Sequence, residues 1–179
     1  MAINQSANTK EMVGKWGPVA GGVIALLGAL IALVSFILQW VSFMGTGVTG
    51  IDMLSQISTF SQGSTSVLLY TVFCVPVLGL VLILAGIATI PLAILKNMKD
   101  LYRIIVGAVI IVISLCGCCS PVSFALGLNS SLGAASSSAP SITSLLGAGF
   151  WVSLVGFGLT LLGGIVATVT AVMAKQKSI

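Results

Sequence analysis

The chain has 179 residues, 58% of them hydrophobic and 6% charged, with a formal charge of +4 and a mean hydropathy of +1.22. A water-soluble domain of this length needs far more polar surface, so lipid is the expected solvent. The cations flank apolar runs instead of forming a basic face, which excludes nucleic acid as the expected partner and leaves membrane lipids.

The opening stretch, Met1 to Trp16, is polar and carries Lys10 and Lys15. The apolar run after it is too long for a signal-peptide h-region and lacks a small-residue cleavage site, so the first span is expected to stay in the mature protein. That span is read over about 17–43, with Trp16 at one headgroup level and Trp40 and Phe43 at the other. The outer loop 44–65 mixes Gly, Ser and Thr, with a short helix or turn expected around Ile51 to Ile57. Asp52 is the one charge in the outer loops. It is read as the cap of that turn, accepting backbone hydrogen bonds, with contact to a cationic partner or ion as the alternative.

The second span covers about 66–95; Pro76 should kink it and Pro91 begin its end. The turn 96–100, with Lys96 and Lys99, is short enough to make spans two and three antiparallel neighbours. Span three runs over about 101–127 from Arg103 at its margin, and Pro121 is read as opening a kinked extension. The loop 128–143 is uncharged and low in complexity. Asn129, Ser130 and Ser131 match a glycosylation acceptor there, as do Asn4, Gln5 and Ser6 on the opposite side. Span four covers about 144–174, with Trp151 near the outer interface and Lys175 and Lys177 beyond its end. Trp40, Phe43, Phe60, Tyr70, Phe150 and Trp151 together read as an aromatic belt.

All seven Lys and Arg residues therefore fall on one side of the predicted bilayer. The positive-inside bias predicts cytoplasmic N- and C-termini in a plasma or cytoplasmic membrane. The expected fold is a single all-α membrane domain over 1–179, a left-handed bundle of four transmembrane helices.

Small residues recur every seven positions. Gly14, Gly21, Gly28, Ser35 and Ser42 follow one another in span one, and Gly149, Gly156, Gly163 and Thr170 in span four. Gly79, Gly86 and Ala93 in span two and Gly107 and Ser114 in span three form shorter versions. A seven-residue repeat keeps a seam aligned on supercoiled helices, and small side chains allow the backbones to approach where lipid gives little drive for association. Gly22 and Gly164 add a second small face to spans one and four. One small face is expected to pack inside the bundle and the other against a neighbouring subunit.

The chemistry is sparse. No Asp, Glu, Lys, Arg or His lies deep in any apolar run, which argues against pumps and proton-coupled carriers. There is no His and no metalloprotease, phosphate-loop or nucleophile-elbow motif, so no catalytic and no metal-ligating residues are assigned. Cys116, Cys118 and Cys119 form the one thiol cluster, with Cys74 elsewhere. Structural packing is the preferred reading, a thiol pair or acylation the next, and metal ligation the least favoured. No cofactor is assigned, although a lipid, carotenoid or quinone would suit an apolar surface of this kind.

Four spans, termini on one side, a longer first outer loop and Trp40 closing span one resemble the claudin and peripheral-myelin-protein type of tetraspan. That family carries a Trp, then Gly-Leu-Trp, then two cysteines in its first outer loop. Here no Gly-Leu-Trp follows Trp40, and Met44 to Thr65 has no cysteine. The resemblance implies the architecture and no functional residues. The expected function is that of a non-enzymatic integral membrane protein, self-associating or serving as an accessory or structural subunit of a larger complex. The competing reading is a passive channel or small-molecule carrier formed by an oligomer.

Overall fold

Inside a bilayer no water pairs with backbone amides, so a long apolar run satisfies its own hydrogen bonds as a helix. A computed structural model describes residues 2–43, 46–55, 65–94, 100–133 and 142–176, with side chains described over 16–42, 46–55, 71–88, 104–130 and 143–173 and at Tyr102. The elements in chain order are α1 (Ala2–Ser35), β1 (Gln39–Phe43), β2 (Thr46–Thr49), α2 (Gly50–Ser55), α3 (Thr65–Ile94), α4 (Asp100–Gly133), α5 (Ile142–Leu145) and α6 (Ala148–Gln176). Four helices hold stretches long and apolar enough to cross a membrane: Trp16–Ser35, Thr71–Ala88, Ile104–Ser130 and Ala148–Met173.

These helices form a ring. α1 packs on α3 and α6, and α4 packs on the same two, with the α1–α6 contact the most extensive. The expected adjacency of spans two and three is seen as the α3–α4 contact. Ala25, Ala29, Ala32, Val72, Val75, Leu82, Ile110, Phe124 and Phe157 fill the centre of the ring. Small residues dominate the α1 side and large ones the α3–α4 side. The outward faces are apolar too, including Leu27, Leu84, Val112 and Leu162, as lipid-facing surfaces are.

The chain is not all helix. Span one, expected over 17–43, stops at Ser35. Phe36 N–H donates to Leu33 O at 3.1 Å, Ile37 to Val34 at 3.0 Å and Leu38 to Ser35 at 3.2 Å, a tightened final turn. Gln39–Phe43 then pairs antiparallel with Thr46–Thr49. A short apolar run such as 36–43 reads the same for helix and strand by periodicity, which is why the sequence extends the helix through it.

The hairpin register carries the key detail. Gln39 lies opposite Thr49 and Val41 opposite Val48, so Trp40 is the extra residue of a bulge. A bulge re-aims a side chain, and here the indole turns into the bundle, where it is fully buried. Trp40 and Phe150 therefore leave the expected aromatic belt, whereas Trp16 and Trp151 stay exposed. Phe60 lies outside the described residues, as do the Phe43 and Tyr70 side chains.

The remaining boundaries differ in smaller ways. α3 and α4 run through Pro76, Pro91 and Pro121. α4 continues to Gly133, into the expected loop 128–143, whose part 134–141 lies outside the described residues. Of the turn 96–100 only Asp100 is described. The fourth run breaks at Leu146 and Gly147 before α6 begins at Ala148. Leu146 there forms an antiparallel bridge with Val41, placing a third extended segment beside the hairpin.

Candidate functional site

The densest arrangement of sequence-predicted residues is the α1–α6 seam. The two seven-residue ladders meet each other in antiparallel register: Gly21 with Gly163, Gly28 with Gly156, and Ser35 with Gly149. A Cβ on Gly21 would stand 2.7 Å from Gly163 O, and one on Gly163 2.6 Å from Gly21 O. The same reciprocity holds for Gly28 and Gly156, at 2.6 and 2.8 Å. At these positions the partner backbone occupies the space that a methyl group needs, so glycine is a steric requirement. Each carbonyl faces the partner's Cα hydrogens, a contact worth about 0.5–1 kcal/mol at helix–helix interfaces.

Between the ladder positions lie Ala25 and Ala32 on α1 and Ser153, Thr160 and Ala167 on α6, all buried. They complete an alternating four-and-three spacing on both helices. A repeat of seven leaves these residues out; the offset of four from each ladder position is the sequence signal for them. One hydroxyl links the two helices: Thr160 Oγ1 donates to Gly156 O of its own helix at 2.9 Å and also reaches Ala25 O of α1 at 3.4 Å. Ser35 Oγ donates to Ala32 O at 2.6 Å, Ser153 to Phe150 O at 2.7 Å and Thr170 to Val166 O at 2.7 Å, each within its own helix. Beside that one long contact, dispersion between close backbones carries the seam.

The seam is closed at the hairpin end by Trp40. Its indole N–H donates to Ser35 O at 3.0 Å, its ring meets Phe124 edge-on with centroids 5.7 Å apart, and its carbonyl accepts from Gly147 N–H at 2.8 Å. A Cβ on Gly149 would reach Trp40 Cδ1 at 2.6 Å, so the missing side chain at Gly149 is what admits the indole. Four elements, α1, β1, α4 and α6, thus converge on one buried ring.

The other ladder residues take lighter roles. Gly79 and Gly86 of α3 face Leu33 and Leu26 of α1, where an added Cβ would have its nearest neighbours at 3.3 Å. Gly107 of α4 lies under Thr168 of α6, and Ser114 is buried with its hydroxyl donated to Ile110 O at 2.7 Å. The second small faces do not stand free. Gly164 sits against Ile110 and Ile111 of α4, and Gly22 is buried. This corrects the expectation that a second glycine face remains for a neighbouring subunit; packing of four helices into a ring uses two faces of each.

Asp52 is exposed and belongs to a reciprocal cap. Thr49 N–H and the Thr49 hydroxyl donate to Asp52 Oδ2 at 3.1 and 2.7 Å, and Asp52 N–H donates to Thr49 Oγ1 at 3.1 Å. Thr49 and Asp52 are the cap and third residue of α2, a capping-box arrangement. The Thr49 hydroxyl, and next its amide, hold the Asp52 carboxyl below its ordinary value of 3.8. Asp52 accepts a backbone hydrogen bond at the start of α2, as read from the sequence, but from the third helical position, with Thr49 as the cap itself.

The thiols are dispersed. Cys116 and Cys119 are exposed on the outward side of α4, Cys118 is half-buried against the core, Cys74 is exposed on α3, and none is disulfide-bonded. Among the described residues no group of three or more His, Cys, Asp or Glu could hold a metal ion. Ser120, one turn on, donates its hydroxyl across the interface to Thr71 O of α3. Asn129 is exposed but helical. The acceptor motif therefore lies on a helix instead of the expected loop.

The described residues form a packed interior in which every buried side-chain N or O atom has a hydrogen-bond partner. No protein-family model and no curated protein matches this chain.

Proposed function

We propose that this is a non-enzymatic integral membrane protein that self-associates or serves as an accessory, structural subunit of a larger membrane complex. The observation that carries the reading is the filled interior. Trp40, Phe157, Leu82, Ile110, Val72 and Val75 are all fully buried where four helices converge, and the described spans contain no Asp, Glu, Lys, Arg or His. A proton- or ion-coupled carrier uses such groups at midplane, and the four thiols of these spans have no general base beside them in the described spans. What the protein presents to its surroundings is apolar helix surface and a small capped hairpin.

In this reading the bundle is left-handed, because the four-and-three spacing on α1 and α6 keeps a seam aligned only with that supercoil. Both termini face the cytoplasm of a plasma or cytoplasmic membrane, since Lys10, Lys15, Lys96, Lys99, Arg103, Lys175 and Lys177 all flank the same ends of the spans. With Gly21, Gly28, Gly156 and Gly163 engaged inside the chain, association with a second subunit proceeds through branched outward faces and the hairpin. Native mass spectrometry from membranes tests the proposal by giving stoichiometry and partners. A stable, partnerless monomer under gentle conditions contradicts it, as does ion or solute flux through liposomes containing the purified protein.

A further inference from the structure

We infer that α2 rests in the headgroup layer of the leaflet on the hairpin side, with Ile37 and Ile51 at the edge of the hydrocarbon, so that this surface is a lipid contact. The outward face of α1 carries Val23, Leu27, Leu30 and Val34, all exposed, at alternating steps of four and three. Ile37 continues that spacing past the last helical residue, Ser35, and is 62% exposed. The chain returns to this point at Gly50, the first residue of α2. A Cβ there would stand 2.6 Å from the Phe36 ring and 2.7 Å from the Phe36 carbonyl oxygen. Phe36 and Gly50 are buried in that contact, whereas the residue after each is exposed, Ile51 by 50%. Within α2, Met53 and Leu54 pack on the core, while Ile51, Asp52 and Ser55 are not covered by it.

Depth identifies the occupant. The apolar stretch Trp16–Ser35 has 20 residues. At 1.5 Å per residue it spans about 30 Å, the thickness of the hydrocarbon core, so the contact of Phe36 with Gly50 falls at the boundary opposite Trp16. Trp151, exposed on α6, marks the same level independently: it lies two residues from Gly149, which faces Ser35, and amphipathic rings favour headgroups. The patch at Ile37 and Ile51 is thus the continuation of a lipid-facing stripe at the depth where apolar side chains still reach acyl chains and Asp52 meets water. Residues 36–55 contain no Lys or Arg, so the contact is made by apolar area and not by attraction to anionic headgroups. A protein partner is the poorer occupant, because the one charge beside the patch, Asp52, is committed to the Thr49 cap.

This inference rests on reading the four helices as membrane spans, and the test separates the two. In a full-length chain whose four native cysteines are replaced by Ser, a spin label is attached at Ile51→Cys or at Leu27→Cys. Each protein is reconstituted at low density into phosphatidylcholine vesicles. Relaxation by oxygen, which concentrates in hydrocarbon, is compared with relaxation by a water-confined nickel chelate present on both faces. The Leu27 label should favour oxygen strongly. The Ile51 label should also favour oxygen over the chelate, by a smaller ratio because it lies near the boundary, and raising the salt should leave that ratio unchanged. A chelate-dominated Ile51 label beside an oxygen-dominated Leu27 label overturns the lipid contact and leaves the spans standing. A Leu27 label dominated by the chelate sinks the span reading and the inference with it. An Ile51 label shielded from both reagents assigns the patch to a protein partner or a second copy and likewise overturns the inference.

Discussion

Gly28 and Gly156 are in mutual backbone contact. A methyl group on Gly28 would lie 2.6 Å from the carbonyl oxygen of Gly156, and one on Gly156 would lie 2.8 Å from that of Gly28. About two turns away, Gly21 and Gly163 repeat the arrangement, so the two longest small-residue ladders in the chain are the two halves of one seam.

Substitution of these glycines should be graded by what the new methyl meets. Gly156→Ala or Gly163→Ala forces backbone apart and should destabilise the bundle by about 1–3 kcal/mol. Gly86→Ala, which meets only the Leu26 side chain and Cα from 3.3 Å outward, should cost less than either. Gly158 has nothing within 4 Å of a Cβ position, and Gly158→Ala should stabilise by about 0.5–1 kcal/mol through helix propensity. Unfolding of each variant in mixed micelles measures the order.

Trp40 should be the most sensitive single side chain. Trp40→Ala removes a fully buried ring that touches Phe124 and caps Ser35 O, for an expected loss of about 3–5 kcal/mol. Trp40→Phe keeps the apolar ring but removes one of the two donors to the Ser35 carbonyl, which still accepts from Leu38 N–H, and should fall between wild type and Trp40→Ala. Chemical denaturation followed by tryptophan fluorescence cannot report on these variants alone, so circular dichroism is the measurement.

The hairpin helix α2 should respond to acid. The Asp52 carboxyl titrates below its ordinary 3.8 in the folded chain, so its capping contribution is present above 3.8 and is lost as pH falls through the lower, folded value. Protection of the Thr49 amide from hydrogen exchange should therefore persist at pH 5 and vanish in strong acid, with Asp52→Asn weakening it at pH 5 and removing the acid dependence; pH 5 is chosen as about one unit above the reference carboxyl range.

The thiols should behave as packing groups of unequal access. A lipid-soluble maleimide should modify Cys74, Cys116 and Cys119 before Cys118, which is partly packed on the core. Replacing Cys116 and Cys119 by Ser should leave the melting temperature within a few degrees, and divalent metal should not raise it. Intact mass and thermal unfolding read both.

The four spans and the ladders were legible in the sequence because length, hydropathy and a seven-residue repeat are properties of one helix at a time. The pairing of Gly21 with Gly163 was not, since a repeat shows that a helix has a seam and is silent about which helix lies across it. Outward faces such as Val23, Leu27, Leu30 and Val34 repeat with the same spacing, so periodicity alone also leaves lipid and partner undistinguished. Trp40 was misplaced for a different reason. An aromatic residue at the end of an apolar run reads as a belt residue, and its inward turn depends on a bulge set by pairing with Thr46–Thr49. Asp52 was legible in part: an acid in a turn-rich loop beside a short helix is a local signal, but Thr49 takes the cap position that the sequence reading assigns to Asp52, which is the third helical residue.

The most direct test of the seam is a cross-link at its far end, where a Cβ on Gly17 would stand 2.7 Å from Thr170 Cβ. Disulfides need Cβ atoms about 3.5–4.5 Å apart, so Gly17→Cys with Thr170→Cys requires only a small separation of the helices. In a chain whose four native cysteines are replaced by Ser, mild oxidation in membranes should give a cross-link within single chains, seen at monomer mass with both new thiols consumed. A cross-link found only between two chains, at dimer mass, would contradict the assignment of the ladders to one bundle.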